Sequence, residues 1–417
     1  MRQDDGGIGG VRTCQWVTVM SVVLGNMFLN NTIRPDVAVR YAKPGKGPIN
    51  MTDTATVVTV IDACARAGVP SLLVSAPGFG KTSLVRSLAK AQGIACETVL
   101  GSLREPSDFA GLPIVGEDGV RMEPPAWAKR LDAAGIGILF LDELGTCPPS
   151  VQNAMLAVVL DRVVGDLQLP SGVAVVAGMN PPEYSGAGYE LPAALRNRFC
   201  HLQFAPTVDE WLDGMATGWA ASPASRAGVD SPSRRAATSG AVSGFISLRP
   251  DLLDCEPERI VEGDGPYHTR RSWKMVADVL AYLRADDTAA IQAVTFGLLG
   301  EGVGAEFLSW LSTSDLPDPE AVIADPAVMD WKAERPDRVW AVLTAVTTLA
   351  AQARTLDMFR KAWGPLVAAA EAGAPDVAAA AARRLAKARP AKAPIPRAAR
   401  NFAPMLRAAG LLDAEVA

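Results

Sequence analysis

A lysine and a threonine, Lys81 and Thr82, end a glycine loop that follows an apolar run: residues 71–83 read SLLVSAPGFGKTS. Phosphate chemistry asks for this combination. The backbone N–H groups of a turn at a helix N-terminus converge on an anion. A lysine there reaches β- and γ-phosphates, and the neighbouring hydroxyl ligates Mg²⁺. The loop offers Pro77, Gly78, Phe79, Gly80, Lys81, Thr82 and Ser83 to an ATP molecule, with Ser75 standing where the usual pattern has glycine. A second group follows at Asp142 and Glu143, two carboxylates closing the run IGILFLDE. Asp142 would share Mg²⁺ with Thr82, and Glu143 would polarise an attacking water at the carboxyl end of a sheet. Asn180, in AGMNPP, reads either as a group that orients the water or touches the terminal phosphate, or as the start of a turn before two prolines. In LRNRF, Arg198 and after it Arg196 offer a guanidinium to developing phosphoryl charge, often from a neighbouring subunit; a surface salt bridge is the plain alternative for either.

These groups need a scaffold, and the flanking patterns predict an α/β one. Leu72, Leu73 and Val74 read as a buried strand, and Leu84, Val85, Leu88 and Ala89 have helical spacing. Residues 136–143 and 173–177 lack alternation, as strands do in a parallel sheet covered on both faces. Residues 97–100 give a further strand. Helices are expected over 57–67, stopped by Gly68, and over 149–161, with Val151, Met155, Val158 and Val159 on one face. A hairpin-like passage covers 165–172, and a short helix starts near Pro192. Residues 103–113 and 123–127 read as irregular, either plain surface loop or an insertion that grips a client.

Beyond the core, residues 222–243 are rich in Ser, Ala, Gly and Arg and predict a variable loop within a helical lid over 206–326. Helical stretches are expected at 245–253, 273–283 and 289–299, and alanine-rich helices at 339–359 and 365–388 within an extension over 327–417. Its basic stretch, 383–400, reads as a solvated helix end and tail in preference to a nucleic-acid or acidic-partner contact, because aromatic interleaving is missing. The net charge of −5 gives no overall footprint for nucleic acid, and six cysteines without a C-x-x-C pair suit a reducing, cytoplasmic setting. Residues 1–50 stand apart. Their apolar stretch, 16–29, is too short to predict a membrane span, KPGKGP reads as a linker, and Met51 is an alternative start.

Taken together, SAPGFGKT, LFLDELG, VQNAMLAVVLDRVVGDLQLP, AGMNPPEYSGAGYELPAALRNRF and HTRRSWKMV, in this order, resemble the AAA+ ATPases of the MoxR-like branch over residues 57 to about 326. The resemblance implies a phosphate-loop core with a parallel sheet flanked by helices, then a small helical lid. It implies Mg²⁺-dependent ATP hydrolysis and a ring, usually of six subunits, with the site between neighbours. It also assigns Arg271 as the second sensor, touching the γ-phosphate from the lid, with Arg270 where proline is usual. A client protein, often one with a von Willebrand factor A domain, is implied as well. A DNA-associated motor and a phosphotransferase are the competing readings.

Overall fold

The computed structural model of the chain describes residues 52–117, 119–184, 188–219, 222–391, 393–394 and 396–411. The expectations for residues 1–50 and for Met51 lie outside them. Helix α1 (Thr54–Ala67) opens the described fold; the Asp53 carboxylate accepts from Thr56 N at 2.6 Å at its start, and Gly68 at φ 71° ends it. Strand β1 (Ser71–Val74) then leads through the glycine loop into α2 (Lys81–Gln92). Next come β2 (Ala95–Leu100), β3 (Leu112–Gly116), β4 (Gly119–Glu123), α3 (Ala126–Ala134), β5 (Ile136–Asp142) and α4 (Pro149–Asp161). The core closes with β6 (Val163–Val164), β7 (Leu167–Gln168), β8 (Gly172–Met179), the single-turn α5 (Ala193–Arg196) and β9 (Cys200–Gln203).

Five of these strands form one parallel sheet in the order β2-β5-β8-β1-β9. Its strands send alternate side chains into two separate apolar clusters. Leu73, Ile138, Phe140 and Val176 meet α1, α2 and the lid helices, whereas Leu72, Leu139, Leu141 and Val175 meet α3 and α4. Both faces are therefore dry, which is why β1 and β5 read as unbroken apolar runs.

The stretch around Gly111 departs from the irregular region expected. β3 and β4 pair as an antiparallel hairpin, and Trp127 is buried in the first turn of α3. The hairpin holds Leu112, Val115 and Val120 out from the core, at 60%, 82% and 65% exposure.

Apart from a β-bridge between Thr52 and Phe204, the described secondary structure after β9 is helical. Helix α6 (Val208–Thr217) is held by a capping box between Thr207 and Glu210. The expected variable loop at 222–243 is corrected by the structure. Only 222–231 lacks regular structure, and α7 (Pro232–Leu248) begins at the Ser231 cap. Then follow α8 (Arg270–Leu280), α9 (Thr288–Leu299), α10 (Glu301–Ser314), α11 (Pro319–Ala324), α12 (Pro336–Ala353), α13 (Trp363–Glu371) and α14 (Pro375–Lys387). The stretch expected to be helical to 253 stops at Leu248 before Pro250, and the one expected to run to 359 breaks at Arg354, where φ is 51°.

Small residues misled the loop expectation because they also serve close helix packing. A Cβ on Gly240 would stand 2.4 Å from the Ala341 carbonyl oxygen, and one on Gly244 2.6 Å from the Ala341 Cβ. α7 and α12 thus lie with their backbones nearly in contact. The division at 326/327 also falls inside a single apolar cluster, in which Ala236, Val322 and Ile323 pack with Val339, Val342 and Leu343. Gly244→Leu is expected to force this seam apart and destabilise the chain by about 2–3 kcal/mol or more, as overpacking does. A lowered midpoint in urea unfolding checks it; an unchanged midpoint would mean the seam yields. Among the described residues no helix is long and apolar enough to cross a membrane.

Candidate functional site

The loop between β1 and α2 owes its shape to two glycines. Gly78 and Gly80 sit at φ 83° and 86°, a region that costs any residue with a Cβ, and nothing lies within 4 Å of where that Cβ would be. The requirement is therefore conformational: the two glycines turn the chain into the first turn of α2, which carries no acidic residue. Pro77, Phe79 and Ser83 are exposed around it. A helix N-terminus left open in this way draws an anion.

Lys81 is half-buried and donates to Asn180 Oδ1 at 2.8 Å and to the Ser75 carbonyl oxygen and Oγ, each at 3.0 Å. Burial lowers its pKa, and the Asp142 carboxylate acts in the opposite sense. Ser75, which departs from the usual glycine, is buried and gives the lysine a hydroxyl acceptor. Thr82 Oγ1 donates to Asp142 Oδ2 at 2.6 Å, so a hydroxyl and a carboxylate stand together at the end of β5. Two hard oxygen donors beside an anion site fit Mg²⁺, which typically takes one or two protein oxygens and completes its shell with phosphates and water.

Glu143, the next residue, has φ 60° and ψ 35°. A non-glycine residue in the left-handed region is uncommon and strained. Its carboxylate meets Ser102, whose hydroxyl donates to Glu143 Oε2. No motif pointed to Ser102. The signal lies in the sheet register: Leu100 pairs with Asp142, which sets the turn after β2 beside the turn after β5. Burial and then the Glu143 charge push the Cys147 thiol up to about 12.

Lys81, Thr82, Asp142, Glu143 and Asn180 thus gather at the carboxyl ends of β1, β5 and β8, three adjacent strands. The arginines do not join them. Ser71 at the start of β1 pairs with Cys200, so Arg198 lies at the amino-terminal edge of the sheet. The four residues of β1, about 13 Å at 3.3 Å each, separate that edge from the start of the glycine loop. Arg198 bonds the Ala194 carbonyl; burial lowers its pKa first, and the positive charge of Arg271 adds to that.

Arg271 lies near enough to Arg198 for its charge to act there, so the structure does not bring it together with Lys81 in the same chain. The reason is local. Thr269 Oγ1 donates to Asn197 Oδ1 at 3.0 Å and Tyr267 Oη to the Ala193 carbonyl at 2.9 Å, tying the start of α8 to α5. Arg196 serves the same joint. It is buried, donates to the carbonyl oxygens of Ile260 at 2.6 Å and Gly263, and lies 5.7 Å over the Tyr267 ring. Its guanidinium is committed to that joint, whereas Arg198 and Arg271 keep charge near the surface.

Comparison with known proteins locates the same segment. Residues 71–201 match the model of the ATPase family associated with various cellular activities (AAA). The chain is 31% identical over 184 residues to Protein MoxR of Methylorubrum extorquens, covering 40% of this chain and 52% of that one. It is 32% identical over 149 residues to Uncharacterized protein YeaC of Bacillus subtilis, covering 34% and 45%. The chain spans about half the length of the curated relatives it matches. A crystal structure from Cytophaga hutchinsonii aligns with a TM-score of 0.41 at 17% identity, over 62% of this chain and 90% of the other.

Proposed function

We propose, from the match of residues 71–201 to the AAA ATPase family model, that the chain is a MoxR-like, Mg²⁺-dependent ATPase that works as a ring and rearranges or activates a client protein. Within one subunit the loop amides from Gly78 to Ser83 and the Lys81 ammonium take the phosphates. Thr82 and Asp142 would hold Mg²⁺, which neutralises phosphate charge. Glu143 accepts a proton from the attacking water on its carboxylate, while Asn180 orients that water or the terminal phosphate. Lys81 and Asn180 bond each other, so an arriving phosphate competes for the lysine and frees the amide to respond.

The observation that carries the ring is the placement of Arg198 and Arg271 at the sheet edge opposite Lys81. A guanidinium aimed at developing phosphoryl charge has to come from a second copy if it cannot come from the same one. Heterologous contacts of this kind close into rings. The exposed apolar hairpin β3–β4 offers a surface on which to grip a client. A protein with a von Willebrand factor A domain is the client class we favour. Buried free thiols at Cys64, Cys147 and Cys200 suit a reducing, cytoplasmic setting.

ATP turnover per subunit is expected to rise steeply with protein concentration and then level off as neighbours complete each site. Turnover per subunit that stays flat across dilution below the assembly range, confirmed by mass measurement, would put the whole site in one copy and remove the ring.

A further inference from the structure

The helical part of the chain has a second concave surface, away from the glycine loop. Where the start of α7 meets the end of α12 and the flank of α14, a basin of about 790 Å³ is lined by Arg235, Arg354 and Arg384 together with Thr347, Thr348 and Gln352. No acidic side chain lines it. Just outside, Asp230 pairs with Arg235, leaving two guanidiniums uncompensated by carboxylates.

Arg384 is the telling member. It lies 5.2 Å over the Trp340 ring and donates from Nη2 to Thr344 Oγ1 at 3.0 Å, so its position is fixed. Its Nε, however, is buried without a hydrogen-bond partner. An unpartnered buried donor on a charged group is costly. Like charges around one concavity add to that cost. An anion in the basin would relieve the repulsion among Arg235, Arg354 and Arg384 and give their guanidiniums an acceptor.

We propose that this basin is a binding site for a phosphate-bearing anion, with Arg354 and Arg384 as its charged donors and Thr348 and Gln352 completing it. Guanidinium forks match phosphate oxygens in pairs, which point charges on lysine do not. The same anion can arrive free or carried on a phosphorylated side chain, and the test separates the two. The site lies apart from the ATP-hydrolysing residues and does not rest on the function proposed for them.

The experiment uses the full-length chain carrying Lys81→Ala, which weakens the glycine loop as a competing site. Titration calorimetry is run with inorganic pyrophosphate and with a phosphoserine peptide beside its unphosphorylated form. One of the two phosphate probes is expected to bind, and Arg384→Gln is expected to weaken it by about tenfold or more. Because Arg384 is half-buried, Arg354→Asn provides the second variant: its side chain is exposed, and asparagine tolerates the positive φ at that position. The same loss is expected there, with the circular dichroism spectrum unchanged. Binding of pyrophosphate alone identifies a free anion, and binding of the phosphopeptide but not its parent identifies a displayed one. If neither probe binds, or if both variants bind as tightly as the Lys81→Ala parent, the proposal fails.

Discussion

Glu143→Gln is expected to bind ATP as tightly as the parent chain and to hydrolyse it about 10²–10⁴-fold more slowly, the range that removal of a general base produces. The substitution is nearly isosteric, so the turn at φ 60° and the seat beside Ser102 persist, while the group that accepts the water proton is gone. Nothing in the phosphate cradle changes, because Lys81, Thr82 and Asp142 hold their contacts without Glu143 side-chain atoms. The contrast is Lys81→Ala, which removes the ammonium itself and is expected to lose affinity as well as turnover. Binding of a fluorescent ATP analogue and single-turnover phosphate release separate the two effects. Hydrolysis by Glu143→Gln at the parent rate would remove Glu143 from the mechanism.

Arg198→Ala is expected to lower turnover by about 10³–10⁵-fold, as loss of an arginine delivered to phosphoryl charge does. The more informative measurement is a mixture. Arg198→Ala keeps its own glycine loop, and Lys81→Ala keeps its own arginine edge, since the two groups sit at opposite ends of β1. Each variant alone is expected to be nearly inactive. Mixed in equal amounts, about a quarter of the heterologous interfaces in a ring pair an intact loop with an intact arginine, and activity returns in that proportion. Arg271→Ala is expected to behave in the same complementation group as Arg198→Ala, because the two guanidiniums share one edge. A mixture as inactive as its parts would show that Arg198 acts within its own subunit.

Much of the site was legible in the sequence because its parts are short and local. The glycine loop, the carboxylates after an apolar strand and helix α4, found over the same residues as its spacing predicts, each depend on neighbours a few positions away. What escaped was set by contacts distant in sequence. Ser102 meets Glu143 only through the pairing of β2 with β5, which no local pattern encodes. Arg271 follows a recognisable run of residues, yet which end of the sheet it faces depends on the bonds from Thr269 to Asn197 and from Tyr267 to Ala193. The loop expected over 222–243 failed for another reason: glycine loosens a chain in water, yet glycine and alanine also let two helices touch, and composition does not say which. The hairpin β3–β4 did leave a trace, the turn-forming run Gly-Glu-Asp-Gly at 116–119 between Val115 and Val120, that a stricter reading of turn chemistry would have found.

The seam between α7 and α12 has a mechanical meaning. Thr238 Oγ1 donates to the Ala277 carbonyl at 2.8 Å, so α7 is pinned to α8, the helix that carries Arg271, as well as to α12. In the ring proposed above, these three helices would move together as one lever with Arg271 at one end. The 18 residues of α12 span about 27 Å, so a ten-degree turn imposed on Arg271 by a neighbour's phosphates would carry the far end of α12 by about 5 Å. The chemistry of one subunit would then be felt as displacement in the next.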